Sequence, residues 1–281
     1  MIEYFIYFFS IAILYKGIKV IINRKKKLQE LGPFPVMKGA EPFFIKKGKI
    51  GCLLLHGFTS TPNEFRFLRD YLTKKNITVY APLLKGHGTD PIELANTNWQ
   101  DWYKDAKNAL DKLKKRCNKI ILIGNSAGGN LAVMLAAEEN VDGLILLGTP
   151  IRFRLNKAVR FLLPIINKVK KFQRKGFQAR IRKIDNDKVH YKVLPLNKLY
   201  DIFKIMHLTK ENLAKIKAPT LVMQTETDFM ITKSNAEYIY NNLKSEKRKL
   251  CFIPDSYHVF IVDKNREIAF TEIYNFIKEF I

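Results

Sequence analysis

Short apolar runs alternate with longer stretches of helical spacing along most of this chain. The runs are Ile50–Leu55, Ile77–Ala81, Ile120–Ile123, Leu144–Leu147, Thr220–Gln224 and Leu250–Ile253. Each is short and β-branched or leucine-rich, which predicts strands. Their apolar residues are consecutive rather than alternating with polar ones, so both faces of the strands are expected to be covered. Between them lie predicted helices near 62–75, 98–116, 127–139, 234–243 and 265–280. In the second, Trp99, Tyr103, Ala106, Leu110 and Leu113 recur at the spacing of one helix face packed on a sheet. Strand and helix in alternation predict an α/β fold, with a mostly parallel central sheet and helices on both faces.

Two segments break the rhythm. Residues 28–49 hold Gly32, Pro33, Pro35, Gly39 and Pro42, and read as a linker and entry to the domain. Residues 151–217, with Pro164, Gly176 and Pro195, read as a small helical insertion within a domain spanning 50–281. No internal repeat or low-complexity tract is present.

Residues 1–27 have a different character. YFIYFFSIAILY carries no charge, and with Lys16 and Lys19 included, residues 4–22 make 19 positions, about 28 Å of helix. The cluster Arg24-Lys25-Lys26-Lys27 follows the apolar run, the reverse of the order in a secretory signal. Read alone, this segment predicts a membrane anchor, single-pass or peripheral. The positive-inside rule then leaves the rest of the chain on the cytoplasmic side.

Charge adds a second asymmetry. The formal net charge is +23, and residues 151–217 hold 19 Lys and Arg against 4 acids. A field of that sign gathers anions, and since no nucleic-acid motif accompanies it, a lipid surface is the expected partner rather than nucleic acid. Cys52, Cys117 and Cys251 are too few and too scattered for a disulfide framework or a zinc site. An apolar content of 47% excludes a disordered chain.

The chemistry concentrates after the third run. IILI is followed by Gly124-Asn125-Ser126-Ala127-Gly128-Gly129 and then by the helix former LAVMLAAEE. In this strand–turn–helix context G-x-S-x-G lifts a serine hydroxyl above the sheet edge, which makes Ser126 the candidate nucleophile. A serine needs a base and an orienting acid. Of the five histidines, His258 follows the last predicted strand, and Asp228 follows the strand TLVMQ at the equivalent end. Asp255 and Asp263 are rival acids close to His258, but neither ends a strand. His56-Gly57-Phe58 follows CLLL on the same sheet edge, so the N–H groups of Phe58 and Ala127 are the candidate oxyanion hole. His56 and, in Lys85-Gly86-His87-Gly88, His87 read as loop organisers rather than bases. No metal-ligand spacing appears, and neither metal nor cofactor is expected.

Taken together, HGFTSTPNEFRFLRDYL, APLLKGHGTDPIEL, TNWQDWYKD, GNSAGG, TETDFMI and SYHV resemble the bacterial carboxylesterase and monoacylglycerol lipase branch of the α/β-hydrolase superfamily. The resemblance covers about residues 50–281, the insertion matching in position only. It implies the α/β-hydrolase fold with a small cap over an apolar acyl pocket. It also implies cleavage of carboxylic esters through an acyl-enzyme, with catalytic Ser126, Asp228 and His258 and an oxyanion hole of Phe58 and Ala127. Family members usually carry a bulkier residue where Ala127 stands, and the amino-terminal segment and the basic insertion are atypical of its soluble esterases. The expected substrates are monoacylglycerols, lysophospholipids or short-chain esters. Alternatives are a thioesterase, acyltransferase or aminopeptidase on the same triad, or a non-catalytic, membrane-tethered lipid-binding module.

Overall fold

A computed structural model of the protein describes residues 34–153, 166–167, 170–175, 189–228 and 231–280. The apolar run 4–22 and the basic cluster 24–27 lie outside the described residues, as does much of the insertion.

In chain order the elements are β1 (Phe43–Ile45), β2 (Ile50–Leu55), α1 (Arg66–Lys74), β3 (Thr78–Ala81), α2 (Pro91–Ala95), α3 (Trp99–Lys114), β4 (Lys119–Asn125) and α4 (Ala127–Glu138). Then come β5 (Gly143–Leu147), β6 (Phe172–Arg174), β7 (Val193–Pro195), α5 (Leu199–Asn212), β8 (Thr220–Thr225), α6 (Lys233–Asn242), β9 (Arg248–Ile253) and α7 (Arg266–Phe280). Seven strands form one sheet in the order β1-β3-β2-β4-β5-β8-β9. All neighbours run parallel except β1, which pairs antiparallel with β3 at the edge. Phe43–Ile45 belongs to the stretch read from its prolines and glycines as linker and entry, and three residues are too short to announce a strand by pattern.

The strands are apolar throughout because the sheet is covered on both sides. In β2, Leu53 and Leu55 enter one core with α3 and α4, while Cys52 and Leu54 enter the other with α1 and α7. Cys52 and Cys117 therefore lie in separate cores, both as free thiols. Helix α3 opens with a capping box between Asn98 and Asp101. Its buried stripe is Trp102, Ala106, Ala109, Leu110 and Leu113. The face is thus rotated from the expected one: Trp102 enters the core, and Trp99 and Tyr103 are only half-buried. Trp102 is fixed there by an Nε1–H bond to Thr97 Oγ1 (3.0 Å).

Among its described residues the insertion holds both helix and strand. Its described residues include β6 and β7, an antiparallel pair with Phe172 opposite Pro195 and Arg174 opposite Val193. Tyr191 N–H donates to Thr59 O (2.9 Å) and Thr61 Oγ1 to Val189 O (2.8 Å). The Tyr191 hydroxyl donates to Gly86 O (2.9 Å) and accepts from Thr89 N–H (2.8 Å). These bonds seat the strand pair on the loops that follow β2 and β3. Helix α5 packs on α4 and sends Ile202, Ile205 and Met206 into the main core.

Candidate active site

Strand β4 ends at Asn125 and α4 starts at Ala127, so Ser126 alone turns the chain. Its φ of 53° and ψ of −121° lie where non-glycine residues are strained. The turn is held by Ser126 N–H donating to Leu147 O on β5 (2.8 Å). Two glycines make it possible. A Cβ on Gly124 would lie 2.4 Å from Gly128 O, and one on Gly128 would lie 1.9 Å from Leu55 O. Helix α4 can thus start almost in contact with β2, and it is buried from Ala127 to Leu135.

The other candidates come from neighbouring strand ends. Register pairs Leu55 with Gly124, Asn125 with Leu147, and Thr225 with Ile253, so β2, β4, β5, β8 and β9 finish at one edge. His258 Nδ1 and Asp228 Oδ2 are 2.6 Å apart. The Asp228 side chain is 2% exposed and the His258 ring 26%. Asp228 Oδ1 accepts the Ile231 N–H (3.0 Å), and Gln224 Nε2 approaches Oδ2 at 3.4 Å. The His258 loop is tethered by Thr225 and Thr227, whose hydroxyls both donate to Ser256 O. Gly148, the residue after β5, has φ +55°, and a Cβ there would sit 3.3 Å from both Cε1 and Nδ1 of His258. Leu147, which accepts from Ser126, is its chain neighbour. His258 therefore approaches the turn that carries Ser126.

The rival acids are elsewhere. Asp263 is buried and accepts the N–H groups of Tyr257 and Lys264, both at 2.7 Å, which braces the histidine loop without touching the ring. Asp255 is on the surface with Lys264.

The loop after β2 approaches from the opposite side: a Cβ on Gly57 would meet Ser126 Cβ at 3.3 Å. Gly57 O accepts from Ser60 N–H (3.1 Å) and faces His56 Nδ1 (3.1 Å), while His56 Nε2 accepts the Leu84 N–H (3.2 Å). His56 therefore carries its proton on Nδ1 and organises this turn. Among the described residues neither the Phe58 nor the Ala127 N–H finds an acceptor. His87 packs edge-on against His56, Phe58 and Trp102. Burial is the main cause that lowers both histidine pKa values, that of His87 well below the usual imidazole value. Both rings resist taking up a proton, because burial disfavours the imidazolium.

Three residues at this edge carried no sequence signal. Gln224 reads as one more strand position, yet its Nε2 donates to Ile231 O and faces Asp228. Gly148 leaves room for the His258 ring. Glu64 reads as a polar position in a helix start, yet it is 1% exposed and bonded to the Gly57 turn.

Comparison with known proteins agrees with this architecture. The family model described as serine aminopeptidase, S33, matches residues 47–265. A thermostable monoacylglycerol lipase of Bacillus sp. (strain H-257) is 29% identical over 231 residues, 82% of this chain and 91% of that protein. A carboxylesterase of Bacillus subtilis (strain 168) is 29% identical over 241 residues, 85% of this chain and 96% of that protein. Among solved structures, one from a study of the metagenome-derived lipolytic enzymes LipS and LipT superposes with a TM-score of 0.80 at 28% identity. It covers 87% of this chain and all of that one.

These findings correct the expected membrane location. The 96% match leaves about ten residues of the Bacillus subtilis carboxylesterase, half of what a membrane-spanning helix needs. Among the described residues of this chain no helix is long and apolar enough to cross a membrane. The apolar run 4–22, the basic cluster 24–27 that follows it and the positive-inside rule predicted a cell-membrane protein with its domain facing the cytoplasm, and that location is not supported.

Proposed function

Since this chain belongs to the serine aminopeptidase S33 family and is an ester hydrolase of lipase and esterase type, we propose that it cleaves carboxylic esters through an acyl-enzyme on Ser126. The observation that carries the proposal is the 2.6 Å contact between Asp228 and His258 beside the strained Ser126 turn.

In this reading Asp228 accepts the Nδ1–H of His258 and leaves Nε2 as a base. His258 takes the Ser126 proton as Oγ attacks the ester carbonyl. The tetrahedral oxygen accepts the free N–H groups of Phe58 and Ala127, at the positive end of α4. The intermediate collapses, His258 protonates the leaving alcohol, and the acyl group stays on Ser126. Water then attacks with the same base and the same oxyanion donors, releasing the acid.

Monoacylglycerols and other carboxylic esters are supported by the names of the relatives, a monoacylglycerol lipase and a carboxylesterase; short-chain esters are the simplest of these. The basic insertion supports lysophospholipids as a third substrate class, because their phosphate is anionic. The family description favours one other reading, an aminopeptidase on the same residues. The test compares the full chain with its Ser126→Ala variant on an aryl acetate, a monoacylglycerol, a lysophospholipid and an aminoacyl anilide. Ester cleavage should fall about 10⁴-fold or more in the variant. Undiminished cleavage by Ser126→Ala would refute the serine mechanism, and cleavage of the anilide alone would favour the aminopeptidase.

A further inference from the structure

Glu64 is a carboxylate buried beneath the catalytic edge, in the one-turn helix Pro62–Phe65. Its Oε1 accepts two hydrogen bonds, from Gly57 N–H (2.8 Å) and from Asn125 Nδ2 (3.0 Å). Gly57 immediately precedes Phe58, and Asn125 is two residues before Ala127. One oxygen atom thus ties together the two chain segments that carry the candidate oxyanion donors.

The peptide planes show what that tie does. Gly57 O is pinned by Ser60 N–H and His56 Nδ1. A trans peptide directs its N–H opposite to its carbonyl, so pinning Gly57 O aims the Phe58 N–H away from those partners. Glu64 holds the preceding peptide of the same turn through Gly57 N–H. On the other segment Asn125 is fixed by its side-chain amide, and Ser126 by its bond to Leu147 O. Stability alone is a poor reason for this acid. Burying a carboxylate costs several kcal/mol, about the worth of its best contacts, and Glu64 Oε2 has no hydrogen-bond partner among the described residues.

We propose that Glu64 is a positioning residue that sets the spacing and direction of the Phe58 and Ala127 N–H groups. The proposal rests on the serine mechanism above. Losing one oxyanion donor outright costs about 10²–10³ in kcat, so misplacing a pair should cost about 10–100-fold.

The test uses full-length Glu64→Leu and Glu64→Gln, with active sites titrated to completion by a fluorophosphonate. Turnover of p-nitrophenyl acetate and inhibition by phenylboronic acid, which forms a tetrahedral adduct on serine, are the readouts. In Glu64→Leu, kcat should fall about 10–100-fold and the boronate Ki should rise by a similar factor, with KM within about twofold. Glu64→Gln, whose amide oxygen can accept the same two N–H groups, should stay within about threefold of the parent. If Glu64→Leu does not fold, Asn125→Ala removes one tethered donor and should lower kcat about tenfold.

An unchanged kcat in whichever of those two variants folds, a loss confined to KM, or a Gln variant as impaired as Leu would each overturn the positioning role. Activity in Ser126→Ala would instead overturn the serine mechanism beneath it, so the two failures are distinguishable.

Discussion

Replacing Asp228 by asparagine tests the proposed triad most sharply, because the surrounding bonds decide which way the amide must face. Asp228 Oδ1 accepts a firm bond from Ile231 N–H at 3.0 Å, while Gln224 Nε2 lies 3.4 Å from Oδ2. An asparagine oxygen therefore belongs at the Oδ1 position, since an NH2 there would face another donor at bonding distance. The weaker Gln224 contact is the one given up. That orientation points the amide NH2 at His258 Nδ1, where the carboxylate now sits 2.6 Å away. The ring must then present a lone pair at Nδ1 and carry its proton on Nε2, so it has no site to receive the Ser126 proton. Forcing the wrong tautomer in a Ser-His-Asp triad costs about 10⁴-fold in kcat, which is about 5 kcal/mol of barrier. The assay is kcat/KM on p-nitrophenyl acetate at neutral pH, with circular dichroism to confirm the fold. Asp255→Asn is the control: its parent side chain is 71% exposed and pairs with Lys264, so activity should stay within about twofold. A loss under about tenfold in Asp228→Asn would refute the assignment of Asp228 as the orienting acid.

Two further outcomes follow from the buried edge. His56 and His87 have pKa values lowered chiefly by burial, so above about pH 6.5 they are neutral in folded and unfolded chains alike. Below that the unfolded chain takes up protons that the folded one refuses. Each histidine should therefore cost about 1.4 kcal/mol of stability per pH unit until its folded pKa is reached. Urea unfolding between pH 7 and 5.5 should show a shallower loss in His87→Gln, and an identical slope would contradict the burial argument. Gly128→Ala would push a methyl group to 1.9 Å from Leu55 O, a backbone atom that cannot swing aside. It should lower stability by about 3 kcal/mol or more, and a thermal melt changed by less than about 1 kcal/mol would refute the close approach of α4 to β2.

What the sequence determined here was local. Consecutive apolar runs specify strands covered on both faces, because each buried position must remove its side chain from water whatever the order of the strands. Gly124, Ser126 and Gly128 announce the sharp turn, since G-x-S-x-G between a strand and a helix is the pattern of that turn. The sequence also puts Ser126, Asp228 and His258 each just after a predicted strand, which makes them candidates without saying that they meet. A local signal also misled: apolarity over residues 4–22 suggested a membrane anchor, though hydrophobicity alone does not say what covers a segment.

Tertiary structure decided the rest. Trp102 rather than Trp99 enters the core, with its Nε1–H on Thr97 Oγ1, and β1 pairs with the open edge of β3. Asp228 was separated from Asp263 by which of two nearby carboxylates reached the imidazole. Glu64 meets Asn125 across 61 residues of chain, a contact created by the packing of the loop after β2 against the end of β4. Propensity and periodicity act over a turn or a strand, whereas the meeting of distant polar groups is set by the order in which strands join the sheet.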